Sequence, residues 1–104
     1  MRLVSLARGQ AGGLLFGLTA ALHGQISFAD GHVDQTNFDA YPLLGLAATP
    51  AISVHVVAST RAVGGIGEVA TPPIAPAVVN AIFAATGRRI RTLPVGTQLA
   101  TNPR

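Results

Sequence analysis

The sequence predicts an α+β fold in which two helices pack on a small, mostly antiparallel sheet. Three observations predict it. Leu14, Leu15, Leu18 and Leu22 recur at helical spacing, and Val78, Val79, Ile82 and Phe83 do so again towards the far end. Between them, short runs carrying Ile26, Phe28 and Val33 flank Asp30-Gly31, the turn signature of a β-hairpin. Ile52 to Val57 alternates as a strand does, with Ile52, Val54 and Val56 on one side and Ser53, His55 and Val57 on the other. Helix, hairpin and strand in succession read as α+β.

The chain has 104 residues, enough for one small domain, and no cysteine, which excludes a disulfide scaffold and any cysteine-ligated metal or cluster within it. Hydrophobic residues make up 49% and charged residues only 11%, against roughly 25% charged in an ordinary soluble domain. Mean hydropathy is +0.48, far from the polar, charge-rich composition of disordered chains. A small domain exposes most of its residues, so a surface this poor in charge is one that a membrane or another protein covers. All seven basic residues are arginine, the net charge is +3, and the pI of about 11.2 reflects arginine's high pKa more than a strong positive field. A nucleic-acid surface wants a wider basic face with stacking aromatics. Aromatics are 5% here, and no nucleic-acid partner is expected.

In chain order, residues 1–29 carry two readings. One is a secretory signal: Arg2 and Arg8 as the basic region, Ala11 to Leu22 as the apolar region, and Ser27-Phe28-Ala29 as a small-x-small cleavage site before Asp30. On that reading the chain is a small secreted or membrane-associated protein without enzymatic activity. The other is a buried helix ending at His23, with Gly24 as a left-handed terminator. Gly13 and Gly17 then fall on one face, where another backbone can approach closely. The apolar run is short for a membrane span, which needs about 20 residues.

Residues 36–51 are punctuated by Asn37, Asp39 and Pro42 and read as irregular. After the strand at 52–57, Gly64-Gly65-Ile66-Gly67-Glu68 leads into Thr71-Pro72-Pro73-Ile74-Ala75-Pro76, a stiff shaped loop. The second helix is expected to start near Pro76 and to stop at Gly87, with Arg88 and Arg89 close to its C-terminal dipole. Ile90 to Val95 reads as a last short strand and Gly96 to Arg104 as a tail.

Glu68 is the chain's single glutamate. Set behind three glycines in an apolar, proline-rich stretch, it would lose hydration, and its pKa would rise towards the range a general base needs. A solvated loop glutamate is the commoner outcome of such a pattern. His23, His32 and His55 have no metal-ligand spacing, Asp30, Asp34 and Asp39 suit turns, and the glycine run lacks the Gly-Lys-Ser/Thr of a phosphate loop. Arg88, Arg89 and Arg91 read as a solvated helix end, less often a contact for phosphate or an acidic partner.

Three stretches in this order and spacing carry a resemblance: Phe16-Gly-Leu-Thr-Ala-Ala-Leu-His-Gly24, Asn37-Phe-Asp-Ala-Tyr-Pro-Leu-Leu44, and the long, specific run from Gly64 through Glu68 and Pro72-Pro73-Ile74-Ala75-Pro76 to Gly87. Together they resemble the C-terminal part of the molybdenum-binding large subunit of the xanthine dehydrogenase and aldehyde oxidase superfamily, most of all the branch formed by the isoquinoline 1-oxidoreductase beta subunits. The resemblance covers about Gly13 to Val95. It divides the chain into an N-terminal extension (1–9), a piece of molybdopterin-binding domain (10–95) and a tail (96–104).

The resemblance implies that Glu68 is the catalytic base. Such a base takes the proton from a metal-bound hydroxide whose oxygen attacks an electron-poor carbon of an aldehyde or N-heteroaromatic substrate, while hydride passes to the metal's sulfido ligand. It implies Gly65, Ile66 and Gly67 as backbone neighbours of a molybdenum–molybdopterin cofactor, in its cytosine dinucleotide form. It implies as partners the remainder of the molybdenum subunit, an iron–sulfur subunit that takes the electrons, and a small-molecule substrate. The complex would reside in the bacterial cytoplasm or periplasm, and this piece would be inactive alone. Two departures stand out. Gln10 is present before the first helix without the glutamate the family usually has near it, and Val69-Ala70 follows Glu68 where Pro-Gly is common. As one lobe of a longer chain, the protein taken alone should expose apolar surface on its first helix and on its sheet.

Overall fold

The computed structural model describes residues 3–62 and 64–99. Its regular elements are helix α1 (Leu3–His23), strands β1 (Phe28–Ala29) and β2 (His32–Val33), and helix α2 (Ile74–Thr86), with 3-10 turns at Phe38–Ala40, Leu46–Ala48 and Gly96–Leu99. Two helices and a two-stranded antiparallel sheet give the expected α+β composition.

α1 is longer than the apolar run alone suggests. It begins at Leu3, so residues 3–9, set apart in the sequence as an extension, are continuous with the helix; Met1 and Arg2 lie outside the described residues. Four glycines, Gly9, Gly12, Gly13 and Gly17, lower its intrinsic helicity, so packing must supply what propensity does not. Gly17 and Ala21 are buried and Gly13 half-buried. Spaced by four, they form one stripe of small residues along the helix. α2 packs on α1, and a Cβ added at Gly17 would sit 2.4 Å from Ile74 Cγ2 and 2.6 Å from the Thr71 carbonyl oxygen. The close approach read from Gly13 and Gly17 is therefore present, and its occupant is the start of α2 with the turn before it.

The end of α1 differs from expectation. The Gly24 N–H donates to the Ala20 carbonyl at 3.0 Å, but Gly24 is not among the positive-φ glycines. Glycine is needed there for space, since a Cβ would lie 2.9 Å from the Ala20 carbonyl oxygen. The hairpin is as read. Asp30 (φ 50°) and Gly31 (φ 78°) make the two-residue turn, and Phe28 pairs with Val33 and Ala29 with His32. Ser27 Oγ donates to Asp34 Oδ2 at 2.6 Å, and the Ser27 N–H donates to Gln35 Oε1 at 2.8 Å, closing the open end of the ladder.

α2 starts at Ile74, slightly before the expected Pro76, which falls in its first turn, where a missing N–H costs nothing. It stops at Gly87, whose φ of 70° is left-handed and whose N–H donates to the Phe83 carbonyl at 2.8 Å. Two expected strands are absent. Residues 52–57 and 90–95 are irregular and join no ladder among the described residues. Ile52 and Val54 are half-buried and Ser53 and His55 exposed, so the alternation survives without strand pairing. A strand needs a neighbour to satisfy its backbone groups, and the hairpin offers only Phe28–Ala29 and His32–Val33. Within the stretch read as a tail, Gly96–Leu99 forms a 3-10 turn, and residues 100–104 lie outside the described residues.

Among the described residues the buried apolar side chains are Ala21 (2% exposed) and Val95 (1%), joined through the Val95 N–H to the Ala21 carbonyl at 2.8 Å. The accessible surface is 8282 Å², against about 5,500 Å² for a folded monomer of this mass. The radius of gyration is 16.9 Å, against about 13 Å for a compact domain of this length. The exposed apolar residues include Phe16 on α1 (73%) and Phe28 and Val33 in the hairpin, where the sequence placed them, and Phe38 and Leu46 in the 3-10 turns. A chain with this little interior lacks the burial to offset its ordering entropy. The isolated 104-residue chain is expected to bind a dye specific for exposed apolar surface and to melt without a cooperative transition in calorimetry. A sharp, dye-free transition would contradict the fold described here.

Candidate active site

Glu68 sits on a turn held against α1. Its carbonyl accepts from the Thr71 N–H at 3.0 Å, and the Ile74 N–H donates to the Thr71 carbonyl at 3.4 Å, so the turn leads directly into α2. Thr71 Oγ1 donates to the Gly13 carbonyl at 3.2 Å. On the other side of Glu68, Gln10 Nε2 donates to the Ile66 carbonyl. Between this turn and α1 opens a groove of about 460 Å³ lined by Gly12, Gly13, Phe16, Gly67, Glu68, Thr71 and Pro72. Glu68 is the one ionisable side chain on that wall. Of these residues the sequence singled out Glu68 and Gly67. Gly12 and Phe16 join them because α1 presents them one turn apart on the facing side, which helical spacing could have shown had the partner of that face been known.

The dry setting expected for Glu68 is not supplied by this chain, in which the residue is exposed. The apolar neighbours expected to shield it are exposed themselves, Ile66 at 40% and Val69 at 62%, and Pro72 and Pro73 are exposed as well. Gly64, Gly65 and Gly67 are exposed too. None has a positive φ, and a Cβ at any of them would meet no atom within 4 Å. Neither the backbone conformation nor a contact within the chain calls for glycine at these positions, and their open sides leave room for a flat group to lie against the backbone.

The remaining candidates do not converge on this groove. Among the described residues no three His, Asp or Glu side chains could hold a metal ion. Asp30 forms the hairpin turn, Asp34 accepts from Ser27, and Asp39 Oδ1 accepts from the Ala40 N–H. Arg88 donates to the Leu99 carbonyl at 3.0 Å and to the Gln98 carbonyl, tying the segment after α2 to the 3-10 turn at Gly96–Leu99, and Arg89 stacks on the Phe83 ring of α2 at 3.9 Å. Among the described residues no helix is long and apolar enough to cross a membrane. A signal-type cut after Ala29 would fall in the hairpin turn and remove α1 with β1.

The chain thus presents a groove open to solvent with one acid on its wall and exposed apolar faces around it. No family model matches the sequence. The chain is 36% identical over 89 residues, 86% of its length, to the beta subunit of isoquinoline 1-oxidoreductase from Brevundimonas diminuta, of which it covers 11%. It is 36% identical over 84 residues, 81% of its length, to a membrane-bound aldehyde dehydrogenase (pyrroloquinoline-quinone) of Gluconacetobacter polyoxogenes, again covering 11%. It is 36% identical over 85 residues to a subunit of nicotinate dehydrogenase from Pseudomonas putida, covering 7%. The chain thus spans about a tenth or less of the length of the curated relatives it matches. It belongs to the xanthine dehydrogenase and aldehyde oxidase superfamily.

The groove depends on the contact at Gly17, and that contact predicts two opposite outcomes on one helix. In the complete subunit, Gly17→Ala drives a methyl into Ile74 and the Thr71 carbonyl and is expected to cost about 1–3 kcal/mol. Gly9→Ala meets nothing within 4 Å and should be neutral or stabilise by up to ~1 kcal/mol. Thermal midpoints of the two variants check both signs.

Proposed function

We propose that this chain is a lobe of a molybdenum hydroxylase large subunit, that Glu68 is the catalytic base for oxidative hydroxylation of an aldehyde or N-heteroaromatic substrate, and that the lobe is inactive alone. The single observation that supports this reading most is Glu68 standing on the wall of the α1 groove with no other ionisable group beside it. The relatives' names add a substrate class. One acts on isoquinoline, one on aldehydes and one on nicotinate. One name carries pyrroloquinoline quinone; the long Gly64–Gly87 stretch, with its Gly-x-Gly-Glu segment, favours molybdopterin.

On this reading the rest of the large chain supplies what the lobe lacks. Packing against the exposed faces around Phe16, Leu43 and Leu46 would exclude water from the groove and raise the basicity of Glu68 where it faces the reacting group. Gly65, Ile66 and Gly67 would lie against the cofactor through their backbone, and the open sides of Gly65 and Gly67 suit that approach. When bound, the cofactor, in its cytosine dinucleotide form, supplies the oxygen to be transferred and accepts two electrons, which pass to an iron–sulfur partner subunit. Glu68 does the one task that needs a side chain of this lobe: its carboxylate accepts a proton as the new carbon–oxygen bond forms, and being the groove's single acid it has no competing acceptor on that wall.

Glu68→Gln keeps size and hydrogen bonding while removing the base. In the complete enzyme it is expected to lower kcat by about 10²–10⁴-fold with molybdenum and pterin content unchanged by metal analysis and absorbance. Turnover near wild type in that variant would remove Glu68 from this role.

A further inference from the structure

Two side chains tie the Glu68 turn to α1, one on each side of the acid. Gln10 Nε2 holds the Ile66 carbonyl and Thr71 Oγ1 holds the Gly13 carbonyl, spanning 56 and 58 residues of sequence. Gln10 and Gly13 are three apart on α1, so a single turn of helix receives both ties. Between the two anchors, Gly67, Glu68 and Val69 are exposed and Ala70 is half-buried. Apolar packing therefore does little to fix the segment, and the two long-range hydrogen bonds are what locate it. The Thr71 N–H to the Glu68 carbonyl then passes that location on to the acid.

We infer that Gln10 and Thr71 are positioning residues that clamp the Glu68 turn in register with α1 and so aim its carboxylate across the groove towards Gly12 and Phe16. The inference rests on the role proposed for Glu68. Misplacing a base by a fraction of an ångström to an ångström weakens proton transfer in the transition state and leaves substrate binding largely intact. Loosening the clamp should therefore act on kcat.

The test uses the complete large chain with its partner and cofactor. Thr71→Val removes the donor at nearly constant shape, Thr71→Ser keeps it, and Gln10→Ala cuts the second tie from a half-exposed helix position. Thr71→Val and Gln10→Ala are each expected to lower kcat by about five- to tenfold, the effect of one neutral hydrogen bond, with KM within about twofold. Thr71→Ser should return kcat to near the wild-type value. In a Glu68→Gln background the same substitutions should change the residual rate by less than about twofold, because their effect passes through the acid. Independently of turnover, amide hydrogen exchange at Thr71, whose N–H donates to the Glu68 carbonyl, should rise about tenfold in the cofactor-free form of either variant, with α2 unchanged. Unchanged kcat in Gln10→Ala, or an equal loss of rate in the Glu68→Gln background, overturns the inference, and Gln10→Ala decides it even if Thr71→Val misfolds. An inactive Glu68→Gln beside fully active clamp variants removes the clamp alone, whereas an active Glu68→Gln removes the base role on which it rests.

Discussion

The groove that carries Glu68 depends on one close contact, the seat of the Thr71 carbonyl and the Ile74 side chain on Gly17 of α1. Neither helix would hold its place without it. α1 carries Gly9, Gly12, Gly13 and Gly17, each costing up to about 1 kcal/mol of helicity relative to alanine, and the core is otherwise confined to Ala21 and Val95 among the described residues. Glycine at 17 lets two backbones meet where side chains would keep them apart. The gain is dispersion and hydrogen bonding over a short distance rather than area removed from water. Because the turn before α2 is half of that contact, the packing that joins the helices fixes the Thr71 end of the segment, and the hydrogen bonds from Gln10 and Thr71 locate the stretch that bears Glu68.

This explains which parts of the molecule can be read from its residues. α1, the hairpin and α2 each announce themselves locally: leucines at helical spacing, Asp30-Gly31 at the turn, Gly87 as a left-handed stop. The segments at 52–57 and 90–95 have an equally clear strand pattern and form no strand, because pattern sets which side chains face inward while pairing needs a neighbour. Ile52 and Val54 still turn inward while Ser53 and His55 stay out, and the inward side ends before Val56, which is exposed. Gly24 departs from its expected role for a related reason. Its glycine answers to the Ala20 carbonyl 2.9 Å away from a would-be Cβ, a steric need that looks the same in sequence as a left-handed cap.

The site is legible in its chemistry and not in its environment. A single glutamate behind Gly64-Gly65-Ile66-Gly67 can be picked out, and the structure puts it on a groove beside α1. Its shielding cannot be read from its neighbours, because Ile66 and Val69 are apolar yet exposed. Gln10 and Thr71 give no local signal at all. Each is an ordinary polar residue until a partner more than fifty positions away is brought beside it, and long-range hydrogen bonds leave no periodicity to detect.

The exposed apolar surface and the glycine-lined approach point to one conclusion from different directions. Phe16, Phe28, Phe38, Leu43 and Leu46 show more than 60% of their surface, which a free-standing domain of this size could not carry without associating. Gly64, Gly65 and Gly67 lack any contact that would exclude a side chain, which leaves their glycine unexplained within the chain. Both features fit the reading proposed above, the first by polypeptide covering a face and the second by a group lying against a backbone. The curated relatives in which the chain matches 11% of the length carry further polypeptide that could supply both. Its composition, only 11% charged, matches a surface that other polypeptide covers, and the closing of the groove beside Glu68 belongs to the function proposed above.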